Sequence, residues 1–156
     1  MNILPTQQSI VAQIQSVFDS NGLPFIVMDY PEVDRDVLKA LDTPVTFVGY
    51  RGSVADQVLS TSPVYQQRTL RFFVMVNARK FYGPNGLFVA RDFVESAVIG
   101  FAPQNAERLY LKKDDLTDTE DHTWVHVYEL ECVTALVQQD LSENEIASSF
   151  NGLKEN

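Results

Sequence analysis

Apolar and polar residues alternate in the middle of the chain, between Arg68 and Ala78. One side of this run is fully apolar, and it consists of Leu70, Phe72, Val74 and Val76. The other side, from Arg71 to Arg79, mixes aromatic, amide and basic side chains. A period of two in β-branched and aromatic residues is typical of a β-strand. We therefore expect a strand that buries one face and turns the other toward a partner or a thin layer.

Two segments repeat their apolar residues every three or four positions, which is the period of an α-helix. The first has Thr6 as its predicted N-cap and Gly22 as its stop, and its stripe is Ile10, Val11, Ile14, Val17 and Phe18. The second follows a Gly-Pro-Asn-Gly break and is closed by Gly100, and its stripe is Leu87, Ala90, Val94, Ala97, Val98 and Phe101. A third, shorter helix is predicted between Glu32 and Leu41.

Short apolar runs predict the remaining strands. They cover Phe25 to Asp29, Val45 to Arg51, and the runs AERLYLKK and TWVHVYELECVTALV, which the acidic turn DDLTDTEDH separates. Residues 52–67 have no clear period and gather Ser, Thr, Gln and Pro, so we predict a long hairpin connection there. Its polar composition predicts that it is mobile in the free subunit and orders on assembly.

The order of these elements indicates the class of fold. Hairpins with helices between them predict an α+β fold, namely a mostly antiparallel sheet of two hairpins with helices packed on one face. A chain of 156 residues is expected to form a single domain. We assign this domain to residues 1–137, and a polar C-terminal tail that is frayed or depends on a partner to residues 138–156.

Charge and cysteine content restrict the function. Lys and Arg number 12 against 21 Asp and Glu, a formal charge of -9, which disfavours stable nucleic-acid binding because such binding relies on neutralising phosphates. Cys132 is the single cysteine and lies in an apolar strand pattern, so we expect an inert core thiol in a reducing cytoplasm. The sequence has neither a signal-peptide pattern nor a run of eighteen apolar residues, so we expect a protein that is not secreted and not inserted in a membrane.

No motif of catalysis or metal binding stands out in the sequence. The acidic turn lacks the glycine and the later glutamate of a calcium loop, and His122 and His126 would lie about 13 Å apart along a strand. A Gly-rich phosphate loop, a nucleophile elbow and a paired-cysteine motif do not occur either. We therefore predict no catalytic residue, no metal site and no cofactor. Two alternatives stay open: a metal-dependent hydrolase that uses the acidic turn, and a monomeric ligand-binding domain.

The run VMVNARKFYG resembles a family of Mu-like phage proteins that are assigned as tail terminators. The order of elements from about Thr6 to Val137, including YLKKDD and WVHVYELEC, is also similar to that of tail terminators of other long-tailed phages. The resemblance implies a structural late protein of the virion with no enzymatic activity. Such a protein forms a hexameric ring that binds the last ring of the tail tube, ends tube polymerisation and joins the tail to the head neck.

The resemblance also implies partners and a location. The expected partners are further copies of the chain, the tail tube protein, a neck or connector protein and, in a sheathed tail, the sheath protein. DNA would pass through the ring without stable binding. The protein would belong to the virion tail and be assembled in the cytoplasm of the bacterial host. Another neck or head-completion adaptor is the alternative within the same class of proteins.

A closed ring of identical subunits needs two unlike surfaces on each subunit. One candidate is the basic and aromatic segment from Arg79 to Tyr82, which we call the corner, although its aromatic side chains could equally fold back on the core. The acidic residues of the predicted loops, including Glu120, are expected to lie at the edges of the ring. Some of them are candidates to line its central hole and to repel DNA there. The candidate interface residues are Asp56, Tyr65, Arg79, Lys80, Phe81, Tyr82, Asp114, Asp115, Asp118 and Asp121.

Overall fold

Five strands form one mixed sheet, and two helices cover one of its faces. The structure is a computed structural model, and it describes residues 2–30, 42–118 and 123–137. In chain order the elements are α1 (Leu4–Ser20), β1 (Ile26–Asp29), β2 (Val45–Thr61), β3 (Val64–Ala78), α2 (Leu87–Val98), β4 (Tyr110–Asp118) and β5 (Trp124–Val137). The short helix predicted at 32–41 and the C-terminal tail lie outside the described residues.

The strands are ordered β1-β2-β3-β5-β4 across the sheet. β1 runs parallel to β2, and the other three neighbouring pairs are antiparallel. The predicted α+β class with a mostly antiparallel sheet is therefore confirmed. The alternation at the centre of the chain is also confirmed, because Leu70, Phe72, Val74 and Val76 are buried while Arg71 is exposed.

Helix α1 ends where the sequence predicts but begins earlier. Thr6 is buried inside the first turns and is not the N-cap, a position that Ile3 occupies without a side-chain cap. The prediction for Thr6 is therefore wrong. At the other end Gly22 has a φ of +66°, and the N–H of Leu23 donates to the Phe18 carbonyl at 3.0 Å. This six-residue hydrogen bond around a left-handed glycine is a Schellman C-cap.

Helix α2 buries the apolar stripe that its period predicts. Its buried residues are Leu87, Ala90, Val94, Ala97 and Val98. They form one core cluster with Ile14 and Phe18 of α1 and with Val74 of β3. Both helices thus pack on the same face of the sheet, as predicted. Gly100 has a φ of +80°, and its N–H donates to the Leu109 carbonyl at 2.9 Å, so it directs the chain toward β4.

The prediction of a long connection at residues 52–67 is wrong. This segment is extended strand on both sides of a short turn at Ser62 and Pro63. Side chains bond across the two strands, since Thr69 Oγ1 donates to Asp56 Oδ2 at 2.6 Å and Arg68 Nε donates to Ser53 Oγ at 2.8 Å. These bonds replace the apolar burial that the segment lacks. The premise of its predicted mobility, an unstructured loop, therefore does not hold. We call residues 52–67 the arm.

Part of the predicted acidic turn is also strand. Asp114, Asp115 and Asp118 belong to β4, whose nine residues are all exposed. Residues 119–122 lie outside the described residues. Of the two helices that the structure describes, neither has the length and apolar content needed to cross a membrane.

Candidate assembly interfaces

The corner leaves the end of β3 and is tied at once to the start of α2. The Leu87 N–H donates to the Lys80 carbonyl at 2.9 Å, and the Phe88 N–H donates to the Phe81 carbonyl at 3.3 Å. These bonds satisfy backbone donors that the first turn of a helix would otherwise leave unpaired. At Gly86, a Cβ atom would lie 2.6 Å from the backbone of Tyr82, so only glycine allows this close return.

The aromatic residues of the corner have different surroundings. The ring of Phe81 lies 4.6 Å, centroid to centroid, from both Trp124 and Phe88, in edge-to-face contacts, and it packs against the core. Tyr82 lies 5.6 Å from Phe88, but 76% of its surface is exposed. The alternative of ordinary core packing therefore holds for Phe81 and fails for Tyr82. Trp124 packs against the same core.

The basic residues of the corner are exposed to solvent. Arg79 has one ion-pair partner among the described residues, Asp42, at 3.8 Å, and both side chains are largely exposed. Such a pair contributes little to stability. The Lys80 side chain is exposed, and it forms no ion pair with another described residue. Together with Tyr82 and Phe88, these residues form a surface that is both basic and aromatic.

The arm presents apolar side chains to solvent on both of its faces. Val58 and Leu59 are each 48% exposed, and Val54, Val64 and Tyr65 are also among the exposed large apolar residues. The register places Val58 beside Gln66 on the helix side of the sheet, whereas Tyr65 lies on the opposite side with Val137. Asp56 is the only charged residue of the arm. Exposed apolar clusters of this kind mark sites of association.

The arm and the corner lie at opposite ends of one strand pair. β3 and β5 are paired without a register shift from Ala78 with Trp124 to Tyr65 with Val137. The 15 residues of β3 span about 48 Å at ~3.4 Å per residue. The two surfaces are therefore held apart by a continuous ladder of hydrogen bonds and cannot meet within one subunit.

The acidic candidates on β4 have partners within the sheet. His126 Nε2 donates to Asp114 Oδ2 at 3.0 Å, because an ionised carboxylate can only accept. Asp115 forms an exposed ion pair with Lys113 at 2.9 Å. Asp118 is at the end of β4, opposite Trp124 and thus at the end of the sheet where the corner lies. Asp121 and Glu120 lie outside the described residues.

A buried polar group that sequence reasoning missed connects α2 to the sheet. The Tyr128 hydroxyl lies 3.3 Å from the Glu95 carboxylate, which pairs with Arg91 at 2.8 Å. Burial raises the pKa of Tyr128, while burial and then the charge of Arg91 lower the pKa of His126, against an opposing effect of Asp114. The sequence contains two signals that could have located this group. They are the i,i+4 spacing of Arg91 and Glu95, and the alternation that places His126 and Tyr128 on one face of β5.

The opposite face of the sheet carries a charged network next to the arm. Arg51 forms an ion pair with Glu129, and Arg71 is paired across the strands with Glu131. The Tyr110 hydroxyl donates to Glu131 at 2.9 Å, and this hydrogen bond is the first cause that raises the pKa of Tyr110. The mixed strand face predicted from Arg71 onward thus begins beside charged side chains and continues with Phe73, Met75 and Asn77.

The described residues can be searched for a metal centre and for a reactive thiol. Across residues 2–30, 42–118 and 123–137, no three His, Cys, Asp or Glu side chains are grouped closely enough to hold a metal ion. Cys132 is fully buried, and burial raises the pKa of its thiol to about 12, which keeps it protonated and unreactive. The arm and the corner are therefore the features of the described surface that most need an explanation.

The described residues form a small α+β domain with an apolar arm at one end of β3 and a basic and aromatic corner at the other. The chain belongs to the Gp37 family, whose family model, described as Gp37 protein, matches residues 20–153. Among solved structures, it is similar to a chain in the virion of a native gene transfer agent (GTA) particle. The identity is 11%, the TM-score is 0.55, and the match covers 83% of this chain and 94% of that chain, so the likeness concerns the fold. The search of curated proteins returned no match.

Proposed function

We propose that the protein is a structural component of a phage-type virion, and more specifically a tail terminator that forms a ring on the tail tube. Two findings support this proposal: the fold similarity to a chain of a gene transfer agent virion, and the resemblance of the strand, corner and helix to Mu-like tail terminators. The proposal assigns the protein no reaction and no cofactor.

The observation that carries the ring is the pair of unlike surfaces at opposite ends of β3. A two-fold contact can pair the arm of each copy with the corner of the other, but it closes at two copies and leaves neither surface free for a third. A head-to-tail contact uses both surfaces at once, and head-to-tail contacts close into a ring when the rotation per subunit divides a full turn. The unshifted β3–β5 ladder fixes the relative position of the two surfaces, which a closed ring requires.

In the proposed assembly, one side of the ring binds the last ring of tail tube protein and prevents further addition. The other side is offered to a neck or connector protein, with the sheath protein as an additional neighbour in a contractile tail. DNA passes through the hole without stable binding, because a chain of charge -9 repels phosphate within the ~8 Å screening length. Assembly takes place in the host cytoplasm, and the product is part of the virion tail.

Electron microscopy of polymerising tail tube protein tests the function. With this protein present, we expect tubes to stop growing and to carry a ring of six copies at one end. The controls are tube protein alone and the variant Ser96→Ala, which changes an exposed position of α2 away from both surfaces. An unchanged distribution of tube lengths with bare ends would overturn the proposal. A ring that binds the head portal and leaves tube growth unaffected would identify a head-completion adaptor instead.

A further inference from the structure

The arm and the corner are complementary in polarity and in charge. The arm exposes apolar side chains around a single charge, the negative Asp56. The corner exposes Tyr82 beside the positive side chains of Arg79 and Lys80, and Asp42 offsets part of the charge of Arg79. Aromatic and Arg side chains are enriched in the cores of protein interfaces, where they contribute much of the binding energy.

We propose that the arm of one copy packs on the corner of the next copy, so that successive β3 strands follow one another head to tail around the ring. This inference rests on the proposed function, because it names the two surfaces that join neighbouring subunits of that ring.

The charges favour a second copy of this chain as the occupant of the corner. The whole chain has an excess of nine negative charges, whereas Arg79 and Lys80 of the corner are positive and exposed and attract Asp56. The described residues of the same subunit leave apolar side chains exposed on both faces of the arm. Arg79 lies 12 residues beyond Gln67, the end of the arm, which is about 41 Å along β3, so only another copy brings a corner within reach of the arm.

The proposal has a geometric consequence that can be seen directly. If arm and corner join neighbours, β3 runs along the circumference of the ring. If the two ends of β3 contact the tube and the neck instead, β3 runs along the ring axis. Electron microscopy at a resolution that separates strands distinguishes these two orientations.

Cross-linking of single-cysteine variants tests the contact itself. The native Cys132 is fully buried, so an introduced cysteine is the accessible thiol. Leu59→Cys places a thiol on the arm, Pro84→Cys places one in the exposed turn directly after the corner, and Ser96→Cys is the matched control on α2. With a short bis-maleimide, the mixture of the arm and corner variants should give cross-linked dimers. Each variant alone, and the mixture of the arm variant with the Ser96 variant, should give at least tenfold less.

Charge reversal provides a second test that does not depend on thiol geometry. Asp56→Lys alone and Lys80→Glu alone should each lower the fraction of protein in rings several-fold. The variant that combines both changes should recover most of that fraction, because the attraction is restored with opposite signs. Equal ring fractions in all four proteins would overturn the proposed pairing, and unchanged unfolding midpoints would show that the single changes leave the fold intact.

The outcomes separate this inference from the proposed function. Rings on tube ends with β3 along the ring axis, or with Leu59→Cys cross-linking mainly to itself, would overturn the arm-to-corner contact and leave the tail terminator intact. Cross-linked head-to-tail chains that never cap a tube would support the contact and overturn the terminator. Bare tubes together with monomeric protein would overturn both.

Discussion

Phe73 places its ring directly over Gly49 on the neighbouring strand. The two residues are paired across β2 and β3, and a Cβ atom on Gly49 would lie 2.3 Å from Cζ of Phe73. Tyr30 packs edge-on against the same ring, with centroids 5.2 Å apart. Glycine leaves this space to the ring, and a side chain here would force the ring to move.

Gly49→Ala should lower the free energy of unfolding by about 1–2 kcal/mol, because the Phe73 ring has to leave its position. In a Phe73→Ala background the same change should cost much less, since the obstacle is gone and alanine restricts the unfolded chain more than glycine does. Chemical unfolding of the four proteins yields the coupling energy between the two sites. Strictly additive losses would show that the ring does not set the requirement for glycine.

Gly86→Ala should cost more, about 2–3 kcal/mol, because its Cβ would meet the backbone of Tyr82, which cannot rotate away. The change should also loosen the hydrogen bond from the Leu87 N–H to the Lys80 carbonyl, which hydrogen exchange of that amide reports. Asn85→Ala in the same turn is the matched control, with an expected effect of about 0.5 kcal/mol. Similar losses in both variants would contradict this account of the corner.

Substitutions of Phe81 and of Tyr82 should have different effects, the first on stability and the second on assembly. Phe81→Ala removes a ring that contacts Trp124 and the core, and we expect a loss of about 2 kcal/mol, below the ~3–5 kcal/mol of a fully buried phenylalanine. Tyr82→Ser should change stability by only about 0.5 kcal/mol because its side chain is exposed, yet it should reduce ring formation. Thermal unfolding and particle mass are the two measurements. A Tyr82→Ser protein that assembles normally would remove the corner from the interface.

His126 should make stability depend on pH. Because burial and Arg91 lower its pKa, the folded protein favours the neutral imidazole, and the unfolded state binds more protons below its own pKa of about 6.5. The contribution of His126 is therefore fully present above that pH and is lost as the pH falls toward the lowered pKa. Relative to His126→Gln, which keeps a donor for Asp114, the wild type should lose unfolding free energy between about pH 7.5 and about pH 5.5. Chemical denaturation at both pH values checks this, and a constant difference would contradict it.

Sequence patterns predicted the elements that bury one face and missed those that bury none. The stripe from Leu87 to Val98 and the alternation from Leu70 to Val76 were predicted because burial imposes a period on apolar residues. The arm and the end of β4 are exposed on both faces, so nothing imposes a period, and they were predicted as a connection and a turn. Their strands are held by backbone pairing and side-chain bonds such as that of Thr69 to Asp56.

The sequence located the corner but did not show how its side chains and the other candidate residues are arranged in space. The corner was located from its composition. Phe81 and Tyr82 are both aromatic residues of one turn, so the sequence does not distinguish them, and the three-dimensional structure is needed to show that Phe81 is packed inside and Tyr82 is exposed. The opposition of arm and corner depends on β3 running as one strand through residues 64–67, which the sequence pattern did not predict. The place of His126 beside Asp114 depends on the pairing of β4 with β5.

The place of β5 in the sheet determines when the chain can fold during its synthesis. β5 is the last of the described strands in sequence, yet it lies between β3 and β4. Until residues 124–137 have left the ribosome, β3 has a free edge and β4 has no neighbour to pair with. Pairing between distant segments is slow, and open edges are prone to aggregation in the meantime. A nascent chain that stalls before Trp124 would therefore leave the ribosome with an open sheet edge, a substrate for chaperones and proteases.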